Sequence, residues 1–299
     1  MGLQFRSWLY VLTFVLLVPS AMATAGTSTI TIVTSNHPLA LIAQQLLGSH
    51  GSAVSLLKPG QTPHDFALSF SDRRRVAEAD LIIWIGADIE PYLQKLVDSS
   101  PGKDLRLDRY WPVKQVDQRH HHSRDHHHHE TDFHFWMSPE HAITIARKLH
   151  QTLVQQTPEQ AAQWSHNLAA LEQEITNTDH QLRHTLQYAD SHYGIAHNAY
   201  SHFIEHYDLP EPLLLSHSTE SNPGIKQLLR IQQQLPQGSC VLVEPEHAQG
   251  WPKQLSQREG YRLTLVDSLA SMDDYSSYSA WLTRVASQFR QCLSSDSQR

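Results

Sequence analysis

Cysteine is scarce in this chain of 299 residues, which holds only Cys240 and Cys292. Neither has a second Cys or a His at zinc-finger spacing, so a thiolate metal site is excluded. Neither stands near the N-terminus, and no lipid anchor on a modified cysteine is expected. Basic charge is also in deficit: 23 Lys and Arg face 30 Asp and Glu, a formal net charge of −7. Nucleic acid needs a basic face, and the sequence has none to offer. Long apolar runs are missing too. The one run near the start, Trp8 to Val18, falls short of the ~20 residues that a comfortable bilayer span requires.

That short run reads as an export signal. Arg6 supplies a positive charge before it, Pro19-Ser20 breaks it, and Ala21-Met22-Ala23 places small residues where a signal peptidase reads. An uncleaved membrane anchor is the competing reading. Loss of residues 1–23 removes one charged residue, Arg6, and moves the net charge from −7 to −8. The mature chain is then exported and soluble. In an oxidising compartment an even pair of cysteines points to one disulfide, with two buried thiols as the alternative.

Histidine is what the chain has in excess, at 22 residues. His120, His121, His122, His126, His127, His128 and His129 all fall in the run Arg119 to Glu130. Imidazole is the commonest side-chain metal ligand, and a tract this dense collects divalent metal without any fold. A purification tag has the same composition, but tags sit at chain ends. This run is internal and interrupted by Ser123, Arg124 and Asp125. It has too little apolar surface to offset the entropy of ordering, so it should be mobile without metal and bind it weakly.

Residues 24–299 are too many for one ordinary core and comfortable for two. Strand candidates Ile30 to Val33, Val54 to Leu57 and Leu81 to Ile85 alternate with helical stretches Pro38 to Leu47 and Ser71 to Ala79. Tyr193 to Ala196, Pro212 to Leu215, Val241 to Val243 and Tyr261 to Val266 repeat the rhythm. Continuous apolar strands alternating with helices indicate parallel sheets covered on both faces. Between the halves, Trp164, Leu168, Leu171, Ile175, Thr178, Leu182 and Leu186 mark one face of a helix, with no Gly or Pro from Glu159 to Ala189. The expected architecture is an α/β fold of two lobes with parallel sheets flanked by helices, joined by one long rigid α-helix. The boundaries read as an N-terminal lobe over 24–138 with its His-rich loop at 119–130, a helical connector over 139–189, and a C-terminal lobe over 190–299. A long helix belonging wholly to one lobe is the alternative.

Four polar positions then stand out. His64 follows a Pro-fixed turn after a strand. His134 precedes Ser138-Pro139, an N-cap and first-turn proline. His197 ends the strand Tyr193 to Ala196, and Asp267 ends the strand that closes at Val266. Taken singly, each histidine is an ordinary surface residue. Together they occupy the carboxyl ends of strands and loop-to-helix junctions in both halves, where open α/β sheets bind ligands. Imidazoles with at most one carboxylate suit zinc, whereas oxygen-rich sets suit manganese; nickel and copper stay open. A zinc hydrolase would also show three His and an open position, but no H-E-x-x-H helix and no base beside a ligand is present.

The stretches G-Q-T-P-H-D-F at Gly60 to Phe66, H-F-W-M-S-P at His134 to Pro139, H-N-A-Y at His197 to Tyr200 and V-D-S-L-A at Val266 to Ala270 resemble the metal-specific solute-binding proteins of ABC importers. More narrowly, they resemble the periplasmic zinc-binding subunit of a high-affinity zinc transporter, over essentially the whole mature chain. The resemblance implies two α/β lobes joined by one long helix, with Zn²⁺ held between them by His64, His134 and His197. The fourth position is Asp267 or water. It also implies a disulfide in the second lobe between Cys240 and Cys292, a monomer in the periplasm of a Gram-negative bacterium, and a membrane permease as partner. No enzymatic activity is expected; a surface adhesin on the same fold is the remaining alternative. The chain departs from the family pattern at Phe70, where Pro is usual, and at Asn198, where Asp is common. Pro63 stands where some zinc members have a ligating Glu, and Ser268 and Ala270 alter the usual D-P-L-G.

Overall fold

The computed structural model describes residues 29–63, 66–111, 132–186, 192–216 and 224–294. The export signal, the His-rich run 119–130 and His64 lie outside the described residues. The first lobe runs β1 (Ile30–Thr34), α1 (His37–Leu47), β2 (Gly51–Ser55), α2 (Phe70–Glu78), β3 (Leu81–Trp84), α3 (Pro91–Asp98) and β4 (Asp104–Arg106). Its strands form one parallel sheet in the order β2-β1-β3-β4. All of β3, Leu-Ile-Ile-Trp, is buried, as a central parallel strand covered on both faces must be.

Local chemistry starts the helices where the sequence reading put them. Asn36 caps α1 by accepting from the Leu39 amide, with Pro38 in the first turn. Ser69 and Asp72 form a reciprocal capping box on α2. Phe70 opens that helix and is 87% exposed, so the loss of the usual proline costs no packing. Two elements differ from expectation. β2 begins at Gly51, because its pairing with β1 aligns Ile30 with Gly51 and Thr34 with Ser55. The apolar Leu56 and Leu57 lie beyond the strand, in the core. β4 has two charged residues in three positions at a sheet edge and carries no apolar signature.

Next come α4 (Pro139–Gln156) and the 26-residue α5 (Ala161–Leu186). The expected stripe is the buried face of α5: Trp164, Leu171, Ile175, Thr178, Leu182 and Leu186 are buried, and Leu168 is partly so. The helix touches the first lobe where Asn167 donates to the Leu46 carbonyl at 2.8 Å and Gln45 donates to Glu174 at 2.9 Å.

The second lobe repeats the plan with β5 (Tyr193–Ile195), α6 (Ser201–His206), β6 (Leu213–Leu214), α7 (Ile225–Gln234), β7 (Cys240–Val243), α8 (Trp251–Glu259), β8 (Arg262–Leu265) and α9 (Tyr278–Ser294). Its parallel order, β6-β5-β7-β8, mirrors the first sheet. Helix α5 reaches this lobe as well, through packing on α9 and through Asp179, which bonds His206 of α6 at 2.8 Å. One continuous apolar core runs through both lobes. The long helix is a shared strut.

Cys240, the first residue of β7, is bonded to Cys292 in α9, with Cα atoms 5.4 Å apart and a sequence separation of 52. The bond ties the last helix to the second sheet. Constraining a loop of this size in the unfolded chain stabilises the fold by ~2–4 kcal/mol. Reduction should lower the denaturant midpoint accordingly, measured on protein whose intact mass confirms two thiols. An unchanged midpoint would mean that packing alone holds α9.

Candidate metal centre

His134 is fixed from both sides along the chain. It precedes a single 3₁₀ turn, Phe135–Met137, whose three side chains are all buried. Ser138 then caps α4 by accepting from the His141 amide, with Pro139 in the first turn. Two residues upstream, Asp132 Oδ1 lies 2.7 Å from His134 Nδ1 and accepts the His134 amide at 2.8 Å. The other oxygen, Asp132 Oδ2, crosses to the second lobe and accepts the Ser201 amide at 2.9 Å and the Ser201 hydroxyl at 2.6 Å. Burial alone would raise the Asp132 pKa, but His134, His202 and Ser201 outweigh it and hold the carboxyl well below its ordinary value. An ionised carboxylate at this position favours the tautomer with its proton on Nδ1, which turns Nε2 toward a metal.

His197 is positioned by sheet register. Ile195 of β5 pairs with Leu242 of β7, so the residues two places on, His197 and Glu244, leave the sheet side by side. His197 Nδ1 lies 2.9 Å from Glu244 Oε2. Burial would raise the Glu244 pKa; His197 and Tyr200 reverse this and lower it. This junction between β5 and β7 is where the strand order of the second sheet reverses, the usual ligand site of an open α/β sheet. The sequence reading noted Asn198 as a departure beside this histidine and named no partner for the ring. Glu244 is that partner, across 47 residues of sequence. The strand-end position of Glu244, directly after Val243, was the available signal.

The two rings come together across the lobes. The centroids of His134 and His197 are 5.8 Å apart, and Trp136 packs edge-on against His134 at 5.2 Å. Two imidazoles bound to one tetrahedral zinc, with Zn–N of 2.0–2.1 Å, have ring centres ~5 Å apart. His247, which the sequence reading did not single out, lies 6.2 Å from His197. Among the described residues no group of three His, Cys, Asp or Glu side chains is assembled for a metal ion. His64, expected as a third imidazole, lies outside them.

Asp267 follows β8 and is buried. Its Oδ1 accepts from the Ser271 amide at 2.8 Å and the Ser271 hydroxyl at 3.2 Å. Its Oδ2 accepts from the Met272 amide at 2.7 Å and the Tyr275 hydroxyl at 3.3 Å. The turn that aims these amides passes through Ala270 at φ 52°, a left-handed position. The related pattern D-P-L-G has glycine there, and the structure keeps the turn with alanine in its place. A left-handed L-residue costs roughly 1–2 kcal/mol, partly offset by the freedom that glycine loses on folding. Ala270→Gly should therefore raise the unfolding free energy by up to ~1 kcal/mol, seen as a higher denaturation midpoint, and Ala270→Val should lower it. A glycine variant less stable than the parent would show that the buried Ala270 methyl outweighs the strain.

The lobes are tied beside these residues. Trp136 Nε1 donates to the Ser268 carbonyl at 2.8 Å, and the Tyr278 hydroxyl donates to the Trp136 carbonyl at 2.6 Å.

The profile of a protein family described as "Zinc-uptake complex component A periplasmic" (ZnuA) matches residues 32–292. The "High-affinity zinc uptake system protein ZnuA" of Yersinia pestis is 28% identical over 288 residues, covering 88% of this chain and 91% of its own length. Among solved structures, the laminin-binding protein of Streptococcus agalactiae, described as a bifunctional protein with adhesin and metal-transporting activity, superposes with a TM-score of 0.74. It is 18% identical, with 88% of this chain and 99% of that chain covered. The periplasmic zinc-binding protein TroA of Treponema pallidum superposes with a TM-score of 0.71 at 18% identity, covering 89% of this chain and 99% of that one.

Proposed function

Because the chain belongs to the ZnuA family of periplasmic zinc-uptake components, we propose that it captures Zn²⁺ between its two lobes and delivers it to an ABC-type zinc importer. The observation that carries this reading is the pair of buried carboxylates, Asp132 on His134 and Glu244 on His197, that orient two imidazoles from opposite lobes. Zinc is the cargo, and no covalent bond is made or broken. We assign His64, His134 and His197 as the three imidazole ligands. Neutral imidazoles with one carboxylate suit zinc, and that carboxylate leaves a charge of +1 to bury instead of +2.

Asp267 is assigned as the fourth ligand, through Oδ2, whose bond from Tyr275 at 3.3 Å is the longest of its four and yields first. The rival is a water in that position with Asp267 hydrogen-bonded behind it. Asp267→Asn separates the two. Direct ligation predicts a large loss of affinity in competition with a chromophoric chelator, and a changed fourth bond in X-ray absorption. Unchanged affinity with a water-like zinc–oxygen distance would place Asp267 behind the water.

Neither Asp132 nor Glu244 is available as the general base of a hydrolase, since each is engaged with its histidine. The partner is the membrane permease of the importer, and docking there must part the lobes at the Trp136–Ser268 contact. The protein works as an exported monomer, and His120 to His129 collect zinc weakly. The adhesin activity attributed to the Streptococcus agalactiae protein gives a second reading; fractionation separates the two, and release of this protein by osmotic shock would support the carrier.

A further inference from the structure

A second pair of histidines lies beside the site, and neither is among its assigned ligands. His141, in the first turn of α4, and His202, in α6, come from opposite lobes, with ring centroids 5.0 Å apart at 69°. The distance matches two imidazoles sharing one tetrahedral metal, ~5 Å for Zn–N bonds of 2.0–2.1 Å. Aromatic walls surround the pair: Trp111 packs on His141 at 4.7 Å and stacks on Phe135 at 5.0 Å, and Phe135 lies 5.5 Å from His202.

The ring nitrogens have definite assignments. His202 Nε2 lies 3.0 Å from the Asp132 carbonyl, which can only accept, so Nε2 is the donor and Nδ1 is the nitrogen left for a metal. His141 Nδ1 is shielded from solvent and has no hydrogen-bond partner. Burial, and then His202, push the His141 pKa down to about 4, so its ring is neutral near neutral pH. Two imidazoles from two lobes at this spacing, one with a ring nitrogen buried away from solvent, are arranged to share an electrophile.

We propose that His141 and His202 form a second site for a borderline divalent cation, Zn²⁺ or by the same chemistry Ni²⁺ or Cu²⁺, separate from the His64–His134–His197 centre. Water completes its coordination, and with two protein ligands it is the weaker of the two sites. It is joined to the first through Asp132, whose carbonyl holds His202 and whose carboxylate holds His134. A cation here also bridges α4 to α6 and so favours the closed lobes.

The test is a zinc titration of the full chain, with histidine carbethoxylation read peptide by peptide in the mass spectrometer. His141 and His202 should become protected together, in a step that begins only after the tight site has filled against a chelator. His141→Phe keeps the aromatic contact with Trp111 and removes the nitrogen. In that variant His202 should lose its second-step protection while tight zinc binding stays as in the parent. Protection of His202 persisting in His141→Phe, or no zinc-dependent protection of either residue, would overturn the proposal. Failure of the tight step alone would count against the primary centre and leave the pair to be judged by its own protection.

Discussion

His134→Ala should weaken zinc binding by more than ~100-fold in competition with a chromophoric chelator, because losing only the outer partner of a metal-bound histidine already costs ~10–100-fold. The side chain sits on backbone held by the buried turn Phe135–Met137 and the capped start of α4, so it is in place before metal arrives. Such a ligand contributes its full bond energy without an ordering cost. Deleting the His-rich run 119–130 should leave the tight event intact and remove the weak events that belong to the tract in calorimetry. If His134→Ala bound as tightly as the parent while the deletion abolished tight binding, the primary site would have to be moved to the tract.

Asp132→Asn is expected to cost ~10–100-fold in zinc affinity while changing only one atom type. An amide can still accept from His134 Nδ1 on one side. Its NH₂ then faces the Ser201 amide and hydroxyl, where Asp132 Oδ2 now accepts two bonds. A donor set against a donor in a buried position costs ~1–3 kcal/mol. Ser201→Ala is the control, since it removes the hydroxyl bond and keeps the amide bond and the charge. It should lose far less affinity than Asp132→Asn. Equal, small losses in both would make Asp132 a packing residue with no hold on the metal ligand.

Much of the fold was legible because its central strands, such as β3 and β7, are buried on both faces and read as unbroken apolar runs, Leu81 to Ile85 above all. The stripe from Trp164 to Leu186 foretold α5, and Ser138-Pro139 foretold the start of α4. Each is a local signal, set by backbone chemistry or by the period of one helix. β4 escaped notice because two of its three residues are charged, and its place is decided by pairing with β3.

The site divides along the same line. Sequence alone placed His134 at a helix start and His197 at a strand end, since turns, caps and strand limits are local, and with only two cysteines it allowed only one pairing, Cys240 with Cys292. Tertiary structure decided what orients them. Glu244 reaches His197 because β5 and β7 lie in register, and Asp132 reaches Ser201 because the lobes close on α5. It also decided that His141 and His202 meet, though 61 residues separate them. Their encounter depends on how two lobes pack, a property of the whole core that no window of sequence contains.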